Sequence, residues 1–267
     1  MASTAMTGMD EGVTVGRVFG RSIAVIKDNP LATLGTTFAL IALPQLLIAL
    51  TGQNLAMVGN LRSGAYAVVA VYGLFVSVLW LVASGAIVQA TVAHEQGRPA
   101  SPTDMIRIGV LRCLPLIAVY ILLLIGIWIG MLFLLIPGIM LAVRWSVALP
   151  SIVAEKTGVF GAFKRSAYLT KGARWHVFGI LLLAFVVYIL ILLGFSIVSG
   201  ASSGSLAALT NPNAMRAPSL SIFAQIIQTL VTTVIATWMT TVGASLFVEL
   251  RRWKDGPDAD RLADIFA

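Results

Sequence analysis

Charge is segregated along this chain. All eleven acidic residues and fifteen of the eighteen basic ones fall in four short segments, and long apolar runs separate those segments. An ionised side chain is costly in hydrocarbon, and the cytoplasmic flanks of membrane spans collect Lys and Arg. The pattern therefore predicts a polytopic membrane protein and also its orientation.

Composition agrees. Of 267 residues, 58% are hydrophobic and 11% charged, and the mean hydropathy is +0.95. A soluble domain of this length needs far more polar surface. The net charge of +7 lies beside apolar spans, so it is better explained by orientation and by attraction to anionic headgroups than by nucleic acid. The single cysteine, Cys113, excludes an internal disulfide and a thiolate cluster. The first thirty residues contain Asp10, Glu11 and Asp28 and no apolar core of signal-peptide length. The expectation is an uncleaved, cytoplasmic N-terminal segment held by Arg17, Arg21 and Lys27.

The fold class expected is all-α, with six transmembrane helices in one integral membrane domain over residues 1–267. The spans fall at about 31–50, 65–93, 114–136, 139–153, 177–199 and 222–248, each compatible with a hydrocarbon layer of about 30 Å at 1.5 Å per helical residue. Pro137-Gly138 is the natural place for a turn between the third and fourth spans. The fourth is short and contains Arg144, so a re-entrant segment is the alternative to a full crossing. Residues 200–219, with Gly200, Ser202, Ser203, Gly204, Ser205, Asn211, Pro212, Asn213 and Pro218, read as a flexible external loop.

The four charged segments carry three, three, five and four basic residues, whereas the 51–64 connection has only Arg62 and the 200–219 loop only Arg216. Both termini are therefore expected in the cytoplasm.

A basic, weakly amphipathic stretch precedes each odd-numbered span. In the first, Val15, Val18, Phe19, Ser22 and Ile26 share a helical side opposite Arg17, Arg21 and Asp28. In the third, Val159, Phe160, Phe163 and Ala167 oppose Lys164, Tyr168 and Lys171. Such helices can lie on a lipid surface, apolar side down. A repeat supports the plan: at an offset of 144, Val15, Phe19, Arg21, Ser22, Lys27 and Gly35 match Val159, Phe163, Arg165, Ser166, Lys171 and Gly179. The middle unit, 102–115, shares only the general layout. The reading is three units, each an interfacial helix followed by a transmembrane hairpin.

The stretch Ile136-Pro137-Gly138-Ile139, then Val143-Arg144-Trp145-Ser146-Val147-Ala148-Leu149-Pro150, then Glu155, Ala162-Phe163-Lys164-Arg165-Ser166 and Leu169-Thr170-Lys171-Gly172 resembles a bacterial membrane domain. That domain is often fused to glycerophosphoryl diester phosphodiesterases and also occurs alone. The likeness covers most of the chain and is specific between Ile136 and Gly179. It implies an accessory or transport-like domain rather than hydrolysis, because in fused members the chemistry belongs to a separate soluble barrel with acidic metal ligands.

Arg144 is the sharpest single residue, because a guanidinium within a span must find a partner, water or a headgroup. It either holds an anion or binds backbone carbonyls freed by Pro137 or Pro150. With it, Lys156, Lys164, Arg165, Lys171 and Arg174 form a candidate headgroup surface, or else simply determine topology. Gln225, Gln228, Thr229, Thr232 and Thr240 share one side of the sixth span with Ala236 and Gly243, as a polar path or a packing face. Gly126 and Gly130 form a small-xxx-small pair suited to close packing or self-association. His94 and His176, the only imidazoles, give a poor metal site. No nucleophile elbow, phosphate loop or pair of intramembrane acids is present.

The expected function is thus a non-catalytic accessory, scaffold or lipid-interacting module of the bacterial inner membrane, with transport of a small solute or lipid as the alternative. The expected partners are membrane lipids, above all anionic ones, with room for a protein partner or self-association and none for nucleic acid. No cofactor and no metal are expected.

Overall fold

Six helical segments long and apolar enough to cross a membrane organise the structure, at Pro30–Leu47, Val71–Glu95, Cys113–Phe133, Leu135–Ala154, Arg174–Phe195 and Gln225–Asp255. It is a computed structural model and describes residues 12–47, 64–155, 157–202 and 222–256. All regular structure among these residues is helical. In chain order the helices are α1 (Val15–Asp28), α2 (Pro30–Thr37), α3 (Gly64–Glu95), α4 (Pro102–Leu111), α5 (Cys113–Phe133), α6 (Leu135–Arg144), α7 (Ala148–Ala154), α8 (Val159–Leu169), α9 (Arg174–Ser202) and α10 (Ile222–Asp255). The 51–63 connection and the expected external loop beyond Ser202 lie outside the described residues.

Local sequence explains several boundaries. Asn29 separates α1 from α2, and Pro30 opens α2, where its missing N–H costs nothing. After Thr37 the first span passes through a π-helical turn, Phe38–Ala42. The turn expected at Pro137-Gly138 is instead made three residues earlier, at Leu134. Leu134 is extended, with φ −169° and ψ 148°, and Pro137-Gly138 fall inside the first turn of α6. Pro is tolerated there for the same reason as Pro30. Gly138 is needed for approach rather than reversal: a Cβ on it would lie 2.9 Å from the Met131 backbone nitrogen. The last helix runs past Val248 to Asp255, because its charged final turns find partners in other helices.

Among lipid tails apolar burial supplies little drive, so helix association depends on fit. Gly126 and Gly130 are both used within the chain. The first makes room for the Trp145 ring, and a Cβ on the second would stand 3.0 Å from the Gly138 Cα. On α4, a Cβ at Gly109 would come within 2.3 Å of the Val82 carbonyl oxygen, so α4 lies directly against α3. One core joins Val18, Val143, Leu169, Val177, Leu246, Phe247 and Leu250 across α1, α6, α9 and α10 with the end of α8. A second joins Leu81, Leu116, Val119, Ile152 and Ala162 across α3, α5, α7 and α8. The outward sides of α5 and α9 carry exposed Leu132, Trp128, Leu190 and Ile197.

The short helices turn part of the sides expected to meet lipid onto protein: Val18, Phe19 and Ser22 of α1 and Val159 and Phe163 of α8 are buried or packed against the two cores. On α1 the buried residues are Val18, Ser22 and Val25, while Val15 is exposed. On α8 they are Ala162, Ser166 and Leu169, while Phe160 is 73% exposed. These buried stripes pack on protein, α1 chiefly on α10 and α8 on α5 and α7. Small and hydroxylated residues, Ser22 on α1 and Ala162 and Ser166 on α8, allow the close approach.

Candidate functional site

Carboxylates at the ends of the even-numbered spans meet arginines from the short helices in one charged layer. The Arg17 Nε lies 2.7 Å from Glu249, and Arg21 reaches the same carboxylate at 3.2 Å and Glu95 at 4.0 Å. Arg165 grips Glu155 with two hydrogen bonds of 2.7 Å and also bonds Asp255. Arg251 approaches Glu155 at 3.4 Å, and Arg252 pairs with Glu95. At the edge, His94 Nε2 stands 2.8 Å from Asp28. Forked donors suit this bridging, because one guanidinium can serve two carboxylates. Arg21 and Arg165 are repeat-related, and each ties a carboxylate of α10 to one on another even-numbered span.

The electrostatics of the two differ. Burial lowers the Arg21 pKa, with Glu95 acting against it and the neighbouring Arg252 reinforcing it. Burial also opposes the Arg165 charge, but the hydrogen bonds it donates to Glu155 and Asp255 outweigh this and hold the pKa above the ordinary arginine value.

Above this layer the fourth span is broken. Residues 145–147 leave the helix between α6 and α7. Freed backbone groups in a span must be satisfied from elsewhere, and α8 does this. The Ser166 hydroxyl donates to the Arg144 carbonyl at 2.9 Å and accepts from the Val147 N–H at 3.3 Å. Thr170 adds a longer contact to the same carbonyl at 3.4 Å. Trp145 at the break packs edge-on against Phe163, ring centroids 5.0 Å apart.

Beside the break lies a cavity of about 440 Å³ between α3, α7, α9 and α10, within the roughly 300–1,000 Å³ usual for small-molecule sites. Gln228, Thr232, Ala236, Thr240 and Gly243 line its α10 wall, opposite Trp80, Ser84, Ser146, Leu149, Tyr188 and Phe195. Its hydroxyls are mostly engaged already. Ser84 donates to the Trp80 carbonyl, Ser146 to Val143, Thr232 to Gln228 and Thr240 to Ala236. Each such bond within the chain leaves the wall less polar than its composition suggests.

The residues singled out from sequence thus separate. Gln228, Thr232 and Thr240 face the cavity, whereas Gln225 is buried and Thr229 donates to the Gln225 carbonyl without lining it. Arg165 is inside the charged layer. Lys164, Lys171 and Arg174 are exposed and form no ion pair among the described residues, and Trp175, next to Arg174 in sequence, is 84% exposed. The Arg144 side chain is also exposed; its carbonyl, rather than its guanidinium, is what α8 holds. Lys156 lies outside the described residues. Sequence reasoning passed over Trp80, Ser84, Ser146 and Tyr188. Isolated hydroxyls inside apolar runs were the available signal for the two serines, and none marked Trp80. Among the described residues no group of three or more His, Cys, Asp or Glu side chains is placed to hold a metal.

No curated protein matches this chain, and no solved structure does. A family model described as the membrane domain of glycerophosphoryl diester phosphodiesterase matches residues 114–261. That range covers more than half of the chain and includes the broken span, α8, the cavity's α9 and α10 walls and most of the charged layer. The chain is a multi-pass membrane protein and belongs to the family of the glycerophosphoryl diester phosphodiesterase membrane domain.

Proposed function

We propose that this protein is a non-catalytic, lipid-interacting module of the bacterial inner membrane, built from three units of a short basic helix and a hairpin of spans, with both termini cytoplasmic. The observation that carries this reading is a division of labour among charges. Glu95, Glu155, Glu249 and Asp255 are all paired with arginines in the charged layer, while Lys164, Lys171 and Arg174 stay exposed, as does Trp175. Uncompensated, exposed cations suit anionic headgroups, at about 1 kcal/mol per basic residue near the surface. Arg144 and Lys156 extend the same set.

The test is the phospholipid that co-purifies with the protein, measured by mass spectrometry. The triple variant Lys164→Ala, Lys171→Ala, Arg174→Ala is expected to lose the enrichment of anionic over zwitterionic lipid. An unchanged lipid profile in the folded variant overturns the reading.

Transport of a small solute or lipid is the second reading, favoured by a cavity bordering a discontinuous span. Flux in reconstituted vesicles separates the two.

A further inference from the structure

Beyond Lys164, Lys171 and Arg174, Lys254 also forms no ion pair among the described residues, and its position is fixed. Its Nζ lies 4.3 Å from the centroid of the Trp253 ring and 5.7 Å from that of the Tyr168 ring. Trp253 belongs to the last turns of α10 and Tyr168 to α8, so two elements hold the ammonium. Both rings are partly exposed, at 37% and 50%. The turn from α8 to α9 closes on the same group. There Gly172 has φ +94°, and a Cβ on it would lie 3.2 Å from the Trp253 ring and 4.0 Å from the Lys254 Nζ. Only glycine takes that conformation without strain.

An aromatic face attracts a cation without neutralising it. Lys254 therefore keeps its charge for a ligand, and it has already given up freedom that a mobile lysine loses on binding. The nearby carboxylates are engaged: Arg165 holds Asp255 and, with Arg251, Glu155. Cations gather around Tyr168 all the same, with Lys164 one helical turn before it and Lys171 three residues after it, both exposed. The first unit differs at this point. At the repeat offset of 144 the residue matching Gly172 is Asp28, which pairs with His94; the third unit has a bare turn where the first has an acid. Depth points to a lipid. The span of α10 ends at Asp255 and that of α9 begins at Arg174, so Lys254 and Gly172 stand at a membrane boundary, the level of headgroups and of exposed Trp and Tyr.

We propose that Lys254, with Lys164 and Lys171 about the Tyr168–Trp253 pair, seats the phosphate monoester of an anionic membrane lipid. The proposal rests on the headgroup reading, since Lys164 and Lys171 belong to both, and gives that reading a defined centre and a lipid class. Ammonium groups are compact point charges without the planar fork of arginine, so their attraction follows the charge of the ligand more than its shape. A phosphomonoester brings a charge of about −1.5 to −2 and three free oxygens. A phosphodiester brings a single charge and one oxygen fewer.

The test uses the full-length protein in phosphatidylcholine discs doped equally with phosphatidic acid, a monoester, and phosphatidylglycerol, a diester. Lipid that stays bound is counted by native mass spectrometry. Phosphatidic acid is expected to be retained over phosphatidylglycerol, and phosphatidylglycerol over phosphatidylcholine. Lys254→Gln is expected to lower the first preference roughly fivefold, the equivalent of about 1 kcal/mol for one cation near the surface, and to leave the second in place. Lys254→Arg keeps the charge and is expected to preserve the first preference. Excess inorganic phosphate is expected to leave the lipid bound, and complete displacement by it overturns the lipid assignment. A first preference that is absent from the parent protein, that survives Lys254→Gln, or that falls as far in Lys254→Arg overturns the seat while the headgroup reading stands on the second preference. If neither anionic lipid is retained over phosphatidylcholine, both fail together.

Discussion

The Ser166 hydroxyl and the Arg144 carbonyl oxygen, 2.9 Å apart, hold the broken fourth span to helix α8. Ser166 also accepts from the Val147 N–H, so a single buried side chain satisfies a donor and an acceptor on the two sides of the break. The residue flagged by its charge thus matters to the fold through its backbone.

Ser166→Ala is expected to destabilise the protein by about 1–2 kcal/mol, because the Val147 N–H then lacks that partner and the Arg144 carbonyl keeps only the longer Thr170 contact where water is scarce. Thr170→Ala, which removes only the 3.4 Å contact to that carbonyl, is expected to cost less. Reversible unfolding in mixed detergent micelles ranks the two variants.

Within the charged layer, the Glu155 and Arg165 side chains are 13% and 21% exposed, while Asp28 in its pair with His94 is 61% exposed. A double-mutant cycle on Glu155 and Arg165 is expected to give a coupling of about 2 kcal/mol, between the values typical of exposed and fully buried pairs. The cycle on Asp28 and His94 is expected to give about 0.5 kcal/mol or less. Adding salt is expected to weaken the second coupling more than the first.

Two glycines make opposite predictions. Gly109→Ala puts a methyl group against the Val82 carbonyl and is expected to cost about 1–3 kcal/mol through displacement of α4. At Gly243 a Cβ meets nothing within 4 Å. There alanine is expected to be neutral or to stabilise by up to about 1 kcal/mol through helix propensity. Thermal unfolding of the paired variants checks the sign.

Topology is tested in a Cys113→Ser background. Cysteines introduced as Asn60→Cys and Ser203→Cys are expected to react with a membrane-impermeant maleimide added to intact cells. One introduced as Ala267→Cys is expected to react only after permeabilisation. Equal labelling before and after permeabilisation at all three positions contradicts the proposed orientation.

The spans were legible because hydrocarbon imposes one composition on every stretch that crosses it. Helix partners were not. Glu155 and Arg165 lie only ten residues apart, but nothing local links Arg21 to Glu249, and only folding brings α1 against the end of α10. The turn was misplaced because Pro137-Gly138 serves α6 as an N-terminal proline and a close-packing glycine, while Leu134 makes the reversal without any characteristic residue. The stripe on the last span was found by its period of 3.6. Whether it lined a path or a contact depended on the hydroxyl rotamers of Thr232 and Thr240, which bond backwards along their own helix, and on Tyr188 and Trp80 arriving from elsewhere. Lys164, Lys171 and Arg174 stand exposed and Arg165 does not, a distinction set by the acidic groups near each and invisible in a tally of basic residues.

The sharing of α10 between Arg21 and Arg165 sets an order of assembly. Glu249 and Asp255 leave the ribosome long after either arginine, so the earlier helices enter the bilayer with those two guanidiniums lacking their last counterions. Insertion of the final helix neutralises both at once, which makes it the keystone of biogenesis: truncation ahead of Glu249 leaves two distant parts of the chain unsealed together.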